Sequence, residues 1–366
     1  MTSAIPITVL TGFLGSGKTT LLKRLLADPA MAGTAVIINE FGDVGIDDAL
    51  VEKADEDTIL LPSGCVCCAV RGDLTKALAK LHHQSLHEQI PAIKRVILET
   101  SGLADPTPIA HTLMTDEDTY RIYQLDGIVT TVDAQHAAGQ LAAHYEPAKQ
   151  IALADRIIVT KTDLVSRSQV DALETAIRAL NRAAPIQHVI KGDTTAAALI
   201  GLAAHEPALM GTDPERWLGH ATQADPHNHA HEHEHVHEHA HGPDCAPNCS
   251  DVNHDHTHLH GIGSFAMHFD APLDGNALSL GLQTLAAAYG DKLLRVKGIV
   301  TVEGQSKPFV VHGVQHIFYP PDVLADWPKR VDGERDRRSR FVFITRGLER
   351  ATVEKHLKPF LGTPSG

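Results

Sequence analysis

The sequence predicts an α/β protein in which a mainly parallel sheet with helices on both faces is joined to a smaller α+β domain of ferredoxin-like type. Three observations lead to this fold class. Short apolar segments alternate with helical patterns between residues 5 and 190, low-complexity sequence follows, and globular patterning returns after Gly261. We therefore expect a domain over residues 1–210, a flexible histidine-rich linker over 211–260, and a second domain over 261–366.

The first domain begins with an apolar segment at residues 5–10, a glycine-rich turn, and a helical pattern from Lys18 to about Leu26. Further short apolar segments predict strands at 35–38, 96–98, 127–132, 156–159 and 187–190. Helical patterns lie between them, as at 74–86 and 169–180. Strands that alternate with helices predict a mainly parallel sheet with helices on both of its faces.

The second domain is predicted from the pattern after Gly261. Alternating residues at 264–269 predict a strand, and 274–289 predicts a helix. The remaining patterns predict a hairpin, a strand and a helix, at 293–303 with 307–314, at 340–345, and at 351–361. This order is typical of a small α+β domain. Residues 225–260 have almost no large apolar side chains, so this part of the linker is expected to bury no core.

Composition excludes several classes of protein. The chain has 366 residues, of which 43% are hydrophobic and 21% charged, both ordinary for a globular protein. A net charge of -13 argues against a general nucleic-acid binder, which usually needs a basic face. No apolar run is long enough for a membrane span, and residues 1–10 lack the charged region of a signal peptide. We expect a cytoplasmic protein that binds neither nucleic acid nor membrane.

A phosphate-binding loop is predicted where the first strand meets the first helix. Residues 12–19 match the pattern Gly-x-x-x-x-Gly-Lys-Thr in full, with a strand before them and a helix after them. Backbone amides and the helix N-terminus favour bound phosphate. Lys18 is expected to reach the β- and γ-phosphates, and the Thr19 hydroxyl to ligate Mg²⁺. The expected nucleotide-binding residues here are Gly12, Gly15, Ser16, Gly17, Lys18, Thr19 and Thr20.

The base is predicted from residues 160–163. Thr160, Lys161 and Asp163 directly follow the 156–159 strand. A carboxylate at Asp163 suits guanine, which offers two donors from N1 and N2, and Lys161 would cover the base. Thr160 stands where this pattern usually has asparagine, so it supplies a hydroxyl instead of an amide. GTP is therefore favoured over ATP, although a Lys-x-Asp sequence alone is common.

A second loop at the end of a strand is expected to take part in catalysis. Glu99 follows the 96–98 strand, where a carboxylate typically holds Mg²⁺ or orients the attacking water. Gly102 would let a backbone N–H approach the γ-phosphate. Asp43 is expected to help Glu99 in positioning, because phosphoryl transfer depends mostly on orientation and charge. The alternative for Glu99 is a carboxylate that caps a helix.

A thiol cluster lies before the helical pattern at 74–86. Cys65, Cys67 and Cys68 can present two or three sulfurs to one soft metal ion. Nearby helix N-terminal amides would lower the pKa of the thiols and favour thiolate. Three ligands leave a fourth position for another residue or for exchange. The alternative is a set of buried apolar cysteines.

Histidine is the compositional outlier, with 25 residues in the chain. Neutral imidazole binds Zn²⁺, Co²⁺, Ni²⁺ and Cu²⁺ alike, so the run of histidines at 227–241 is expected to gather metal ions near the thiols. The alternative is a solvated linker with incidental metal affinity. The candidate ligands in the linker are His227, His229, His231, His233, His235, His237, His239, His241, Cys245 and Cys249.

In combination, these motifs resemble the CobW family of P-loop GTP-dependent metallochaperones. The resemblance rests on residues 12–19, 39–43, 64–68, 99–106, 132–134 and 161–163, in this order, and on 294–298 in the second domain. It implies a GTPase domain joined to a smaller C-terminal domain. It also implies that the Cys-x-Cys-Cys loop carries Zn²⁺ or Co²⁺, with residues 39–43 and 99–102 as the two nucleotide-sensing switches.

The predicted function is a GTP-hydrolysing metallochaperone that uses GTP and Mg²⁺ to control a metal site. Zn²⁺ is the first choice of metal and Co²⁺ the second. The expected partner is a client metalloprotein, or the cobalamin-synthesis machinery if the metal is cobalt. Two alternatives come from other classes: a histidine-rich metal store or sensor with secondary GTPase activity, and a small-molecule kinase that would be indifferent to the three cysteines.

Overall fold

The computed structural model describes residues 4–39, 59–63, 71–202, 259–324, 326–327 and 335–365. These residues form two sheets, one in each of the two predicted domains. In the described ranges, no helix combines the length and the apolar character that crossing a membrane requires.

The first sheet is parallel throughout its described strands. Its strands are β1 (Ile5–Gly12), β2 (Thr34–Asn39), β3 (Ile59–Ser63), β4 (Arg95–Glu99), β5 (Tyr123–Asp133), β6 (Arg156–Thr160) and β7 (Ile186–Val189). They lie in the order β3-β2-β4-β1-β5-β6-β7, and each neighbouring pair is parallel. The predicted parallel sheet is confirmed. β3 was not predicted, and the other strands extend one to four residues beyond most of their predicted ends.

Helices cover both faces of this sheet, as predicted. They are α1 (Lys18–Leu26), α2 (Arg71–Leu86), α3 (Thr107–Thr115), α4 (Glu117–Tyr120), α5 (Ala137–Ala143), α6 (Tyr145–Leu153) and α7 (Arg167–Leu180). α1 packs its leucines with residues 196–202 on one face, while α2, α3, α6 and α7 contribute to the core on the other. The alternation of β1 explains this, because Ile7 and Val9 point into one core and Leu10 into the other. The sequence analysis located α1, α2 and α7 but not the shorter α3–α6.

The C-terminal domain is an antiparallel sheet with two helices. Its elements are β8 (Ile262–Phe269), α8 (Gly275–Tyr289), β9 (Leu293–Val300), β10 (Phe309–Val314), β11 (Ile317–Phe318), β12 (Asp322–Val323), β13 (Ser339–Arg346) and α9 (Arg350–Leu361). The strand order is β11-β10-β9-β13-β8, with β12 paired to β10. The predicted hairpin is the β9–β10 pair. β13 lies between β8 and β9, which splits the β8-α8-β9 unit in the ferredoxin-like manner, whereas α9 follows the last strand.

The two domains share a buried interface. β9 is buried at every position, so it is covered by helices on one side and by the first domain on the other. Leu294 and Val314 join the same apolar core as Ile151 of α6. Beside this core, the buried Asp155 carboxylate accepts hydrogen bonds from Arg295 and Lys297 of β9.

Candidate functional site

The predicted site residues come together at the carboxyl edge of the parallel sheet. Gly12 ends β1, Glu99 ends β4, Asp133 ends β5 and Thr160 ends β6. These four strands are neighbours in the order β4-β1-β5-β6, so their ends form one continuous rim. Ligands of open α/β sheets bind at this edge.

The phosphate loop is held tightly against β5. The Ser16 hydroxyl lies 2.7 Å from the Thr131 hydroxyl. At Gly12, φ is +144°, and a β-carbon there would lie 2.3 Å from Thr131 Oγ1, so no other residue fits. Lys18 is buried, and its Nζ donates to Gly12 O at 2.8 Å and to Phe13 O at 3.3 Å. The loop is therefore formed in this structure, with the Lys18 ammonium held on its inner side.

The loop after β4 contacts the phosphate loop directly. Glu99 is buried, and its Oε1 accepts a hydrogen bond from Thr19 Oγ1 at 2.7 Å. The next helix, α3, has Pro106 at its N-cap, so the capping alternative for Glu99 finds no support there. A β-carbon at Gly102 would lie 2.6 Å from the backbone nitrogen of Leu14. The absence of a side chain at Gly102 therefore lets these two loops pack backbone against backbone.

A cavity of about 240 Å³ opens beside α1 at the ends of β6 and β7. It is lined by the predicted base-binding residues Thr160, Lys161 and Asp163 and by Gly17 and Thr20 of the predicted phosphate site. Four further lining residues were missed by sequence reasoning: Leu21, Leu164, Lys191 and Gly192. Lys191 and Gly192 come just after β7, so the rule that sites lie at the carboxyl ends of parallel strands could have found them.

Thr160 has a structural role that asparagine would fill differently. Its side chain is buried, and its hydroxyl donates to Ser16 O at 2.8 Å and lies 3.3 Å from Val132 O. The hydroxyl thus ties the end of β6 to the phosphate loop and to the end of β5. Where asparagine is usual, Thr160 therefore supplies a hydrogen bond to Ser16 O, which joins the predicted base-binding loop to the phosphate loop.

The Lys161 ammonium group donates hydrogen bonds to two acceptors. Its Nζ donates to Gly15 O at 2.9 Å and to Asp133 Oδ2 at 2.7 Å. Asp133 also accepts from the Gln135 backbone N–H at 2.9 Å and pairs with His136 Nδ1 at 2.8 Å. Burial raises the pKa of Asp133, but the hydrogen bonds from Lys161, His136 and Gln135 outweigh it and lower that pKa overall. The sequence analysis noted residues 132–134 but assigned Asp133 no role.

Both domains match models of one protein family. Residues 6–188 match the model described as CobW/HypB/UreG, nucleotide-binding domain, and residues 262–361 match the cobalamin synthesis protein cobW C-terminal domain. The chain belongs to the CobW family. Membership in this family, together with the phosphate loop, makes it a P-loop GTPase.

Curated relatives and solved structures agree with this membership. The chain is 32% identical to the zinc chaperone YjiA of Escherichia coli over 340 residues, which cover 93% of each protein. It is 28% identical over 387 residues to the zinc-regulated GTPase metalloprotein activator 1 of Saccharomyces cerevisiae, covering 98% of this chain and 83% of that one. The crystal structure of Zn(II)-bound YjiA GTPase from E. coli superposes with a TM-score of 0.67 at 25% identity, covering 98% and 99% of the two chains.

Several predicted CobW-type site residues lie outside the described residues. Asp43 and the thiols Cys65, Cys67 and Cys68 are among them. So are the candidate linker ligands, namely His227, His229, His231, His233, His235, His237, His239, His241, Cys245 and Cys249. Within the described ranges, no group of three or more His, Cys, Asp or Glu side chains is arranged to hold a metal ion. The metal-ligand predictions therefore stay predictions.

Proposed function

We propose that this CobW-family GTPase binds a transition-metal ion at Cys65, Cys67 and Cys68 and passes it to a client metalloprotein in a nucleotide-dependent way. The metal is cargo, with Zn²⁺ as first choice. The E. coli relative is named a zinc chaperone and was crystallised with Zn(II) bound, which supports that choice. Delivery of Co²⁺ in cobalamin synthesis is the alternative. In this proposal the GTPase domain is residues 1–210, the metal-gathering linker 211–260, and the C-terminal domain 261–366.

One observation carries the proposal: the strands that lead into the thiol segment and both predicted switches are neighbours. β3 ends at Ser63, just before residues 64–68, and β2 ends at Asn39, where the first predicted switch begins. Ser63 pairs with Asn39, and Ile38 pairs with Glu99 at the end of β4. Because adjacent strands lie about 4.8 Å apart, the end of β3 is about 10 Å from the end of β4. A structural change that nucleotide causes at the end of β4 therefore occurs only two strand spacings from the point where the thiol segment begins.

Mg²⁺ fits the oxygen donors that the phosphate loop and β4 bring together. Thr19 Oγ1 and Glu99 Oε1 are 2.7 Å apart, and hydroxyl and carboxylate oxygens are ligands that this hard cation prefers. We propose that Thr19 and Glu99 hold Mg²⁺, directly or through a water molecule. The ion would neutralise charge on the β- and γ-phosphates.

The remaining work of hydrolysis is positioning and charge stabilisation. The Lys18 ammonium already lies on the inner side of the loop, where it donates to Gly12 O and Phe13 O. It would therefore need only a small movement to exchange these acceptors for phosphate oxygens. Gly102 would direct a backbone N–H toward the γ-phosphate, and Asp43 would help Glu99 to orient water. In the base cavity, Asp163 would accept the two guanine donors while Lys161 covers the ring.

The linker histidines at 227–241, with Cys245 and Cys249, would raise the local concentration of metal near the thiols. Thiolate ligands need a reducing compartment, so the proposal places the protein in the cytoplasm. A three-thiolate site leaves one position of a tetrahedral ion at which a client ligand can enter.

The test is whether nucleotide state changes metal affinity at the thiols. Zn²⁺ affinity of the full chain would be measured by competition with a chromophoric chelator, with Mg²⁺ and either GDP or a non-hydrolysable GTP analogue. The measurement uses a variant in which the histidines at 227–241 are changed to asparagine and Cys245 and Cys249 to serine, so that metal bound to the linker does not dominate the signal. We expect the two affinities to differ by about tenfold or more, which is typical coupling between two sites.

The matched control is Cys67→Ser in the same background, which should abolish the nucleotide-dependent difference. Equal Zn²⁺ affinities in the two nucleotide states, followed by the same result with Co²⁺, would contradict the proposal. If the metal then bound only through the unmodified linker, the protein would be a metal store whose GTPase activity is secondary.

A further inference from the structure

We propose that Asp133 is a positioning residue for guanine recognition, because it anchors Lys161 in its base-covering place before any nucleotide binds. The inference rests on the proposed contact of Lys161 with guanine and not on the proposed metal transfer. Asp133 and Lys161 lie 28 residues apart in the chain and meet only because β5 and β6 are paired.

The backbone of Lys161 adopts an uncommon conformation. Its φ of 58° and ψ of 30° lie in the left-handed region, which residues other than glycine rarely adopt. This conformation turns the start of the 160–163 loop away from the strand direction of β6. The Lys161 Nζ donates to Gly15 O and to Asp133 Oδ2, and these two contacts stabilise the position of the Lys161 side chain.

The anchor itself is rigid and charged. Asp133 is the last residue of β5 and pairs with Thr160, and the next amide, that of Ala134, donates to Thr160 O at 3.0 Å. Its side chain is 2% exposed and that of Lys161 is 35% exposed, so solvent screens the ion pair from the lysine side only. The lowered pKa of Asp133 keeps the carboxylate ionised at neutral pH.

The anchor determines where the Lys161 side chain runs. Lys161 lines the base cavity, while its Nζ donates to Gly15 O and Asp133 Oδ2, on two residues that do not line the cavity. Both ends of the side chain are therefore fixed, and its methylene groups stay at the cavity wall. A base that enters meets a preformed surface, and binding need not order this long side chain.

A purely structural carboxylate would behave differently. Asp133 also accepts from the Gln135 amide and from His136, so it could serve only to shape the turn after β5. That role would change folding stability, but it would not require Lys161. The two roles are separated by asking whether the effect of Asp133 depends on Lys161.

The experiment is a double-mutant cycle in the full chain with Asp133→Asn, Lys161→Met and both together. Dissociation constants for GDP and a non-hydrolysable GTP analogue would be measured by competition with a fluorescent guanine nucleotide, and kcat by phosphate release at saturating GTP. We expect Asp133→Asn to weaken both nucleotides by about tenfold with kcat within about twofold, since the base contact is the same in both states. In the Lys161→Met background the same change should alter affinity by less than about twofold.

The matched control is His136→Gln, which removes the other side-chain partner of the same oxygen. His136 is 57% exposed, and we expect nucleotide affinity to be unchanged. Melting temperature would be recorded for each variant. If Asp133→Asn folds poorly, Asp133→Glu replaces it, and its retained charge should keep affinity within about threefold.

Equal loss of affinity from Asp133→Asn in both backgrounds, or no loss in either, would overturn the proposal. For the Glu variant, a loss as large as that of Lys161→Met would do the same. None of these readouts involves the thiols or a transition metal, so failure here leaves the metal-transfer proposal standing.

Discussion

The ion cluster between the two domains allows a sharp test of what holds them together. Asp155 Oδ1 accepts from Arg295 Nη2 at 2.6 Å and from Lys297 Nζ at 2.8 Å, while Oδ2 accepts from the Ile128 amide at 2.9 Å. The three charged residues are 7%, 4% and 2% exposed. The perturbation is Asp155→Asn, which keeps the shape and an oxygen for Ile128 but removes the negative charge.

The expected magnitude follows from burial. Two cations would stay in the interface without their common counter-ion, and breaking a buried pair on one side costs about 3–5 kcal/mol. A typical domain is stable by only about 5–15 kcal/mol, so the loss should be large. Removing every charge of the cluster with Asp155→Asn, Arg295→Met and Lys297→Met should instead be close to neutral, because no charge of the cluster stays buried and the Ile128 amide keeps an acceptor.

Urea unfolding followed by tryptophan fluorescence would measure these effects. The chain has two tryptophans, and Trp217→Phe leaves Trp327, which is buried in the C-terminal domain with its indole N–H donating to Ser306 O. The control is Asp105→Asn, which breaks a pair with Lys149 whose carboxylate side is 41% exposed, keeps an oxygen for the Thr107 amide, and should cost no more than about 1 kcal/mol.

The pH dependence has a definite sign. Burial raises the pKa of Asp155, but attraction by Arg295 and Lys297 prevails and holds that pKa well below its ordinary value. Its contribution to stability is therefore complete above the unfolded-state pKa of about 3.9 and is lost as the pH falls below that value. The gap between wild type and Asp155→Asn should shrink below about pH 4. A cost no greater than that of the Asp105 control, or a gap that is constant with pH, would refute this reasoning.

Two further predictions concern the nucleotide site. Gly102→Ala places a β-carbon 2.6 Å from the Leu14 backbone nitrogen and should lower kcat for GTP by about a hundredfold. The control is Gly139→Ala, which has open space around it and should leave the rate of phosphate release near that of wild type. Equal rates for the two variants would contradict this packing argument. Thr160→Val deprives the Ser16 carbonyl of its donor and should weaken GDP binding by about tenfold in a fluorescence titration, with Thr160→Ser close to wild type. Equal affinities for Val and Ser would show that the hydroxyl is not what matters.

Local pattern was enough for much of the fold. The phosphate loop, α1 and the apolar strands were predictable because their spacing and composition encode them within a few residues. β3 escaped because it contains Pro62, which argues against a strand except at a sheet edge. The sheet order places β3 at that edge. The helices α3–α6 have four to nine residues each, too few for a clear period, whereas α1, which has nine, was located by the phosphate-loop motif before it.

Local motifs in the sequence predict the chemistry of the site: a phosphate loop, a loop suited to guanine, a carboxylate after a strand, and a set of soft metal ligands. Which side chains contact one another follows only from the packed domains. Lys161 meets Asp133, Thr19 meets Glu99, and Asp155 meets Arg295 across 140 residues of chain. The physical reason is that strand order in a parallel sheet is set by how all the helices pack, so no local pattern specifies which strand ends become neighbours.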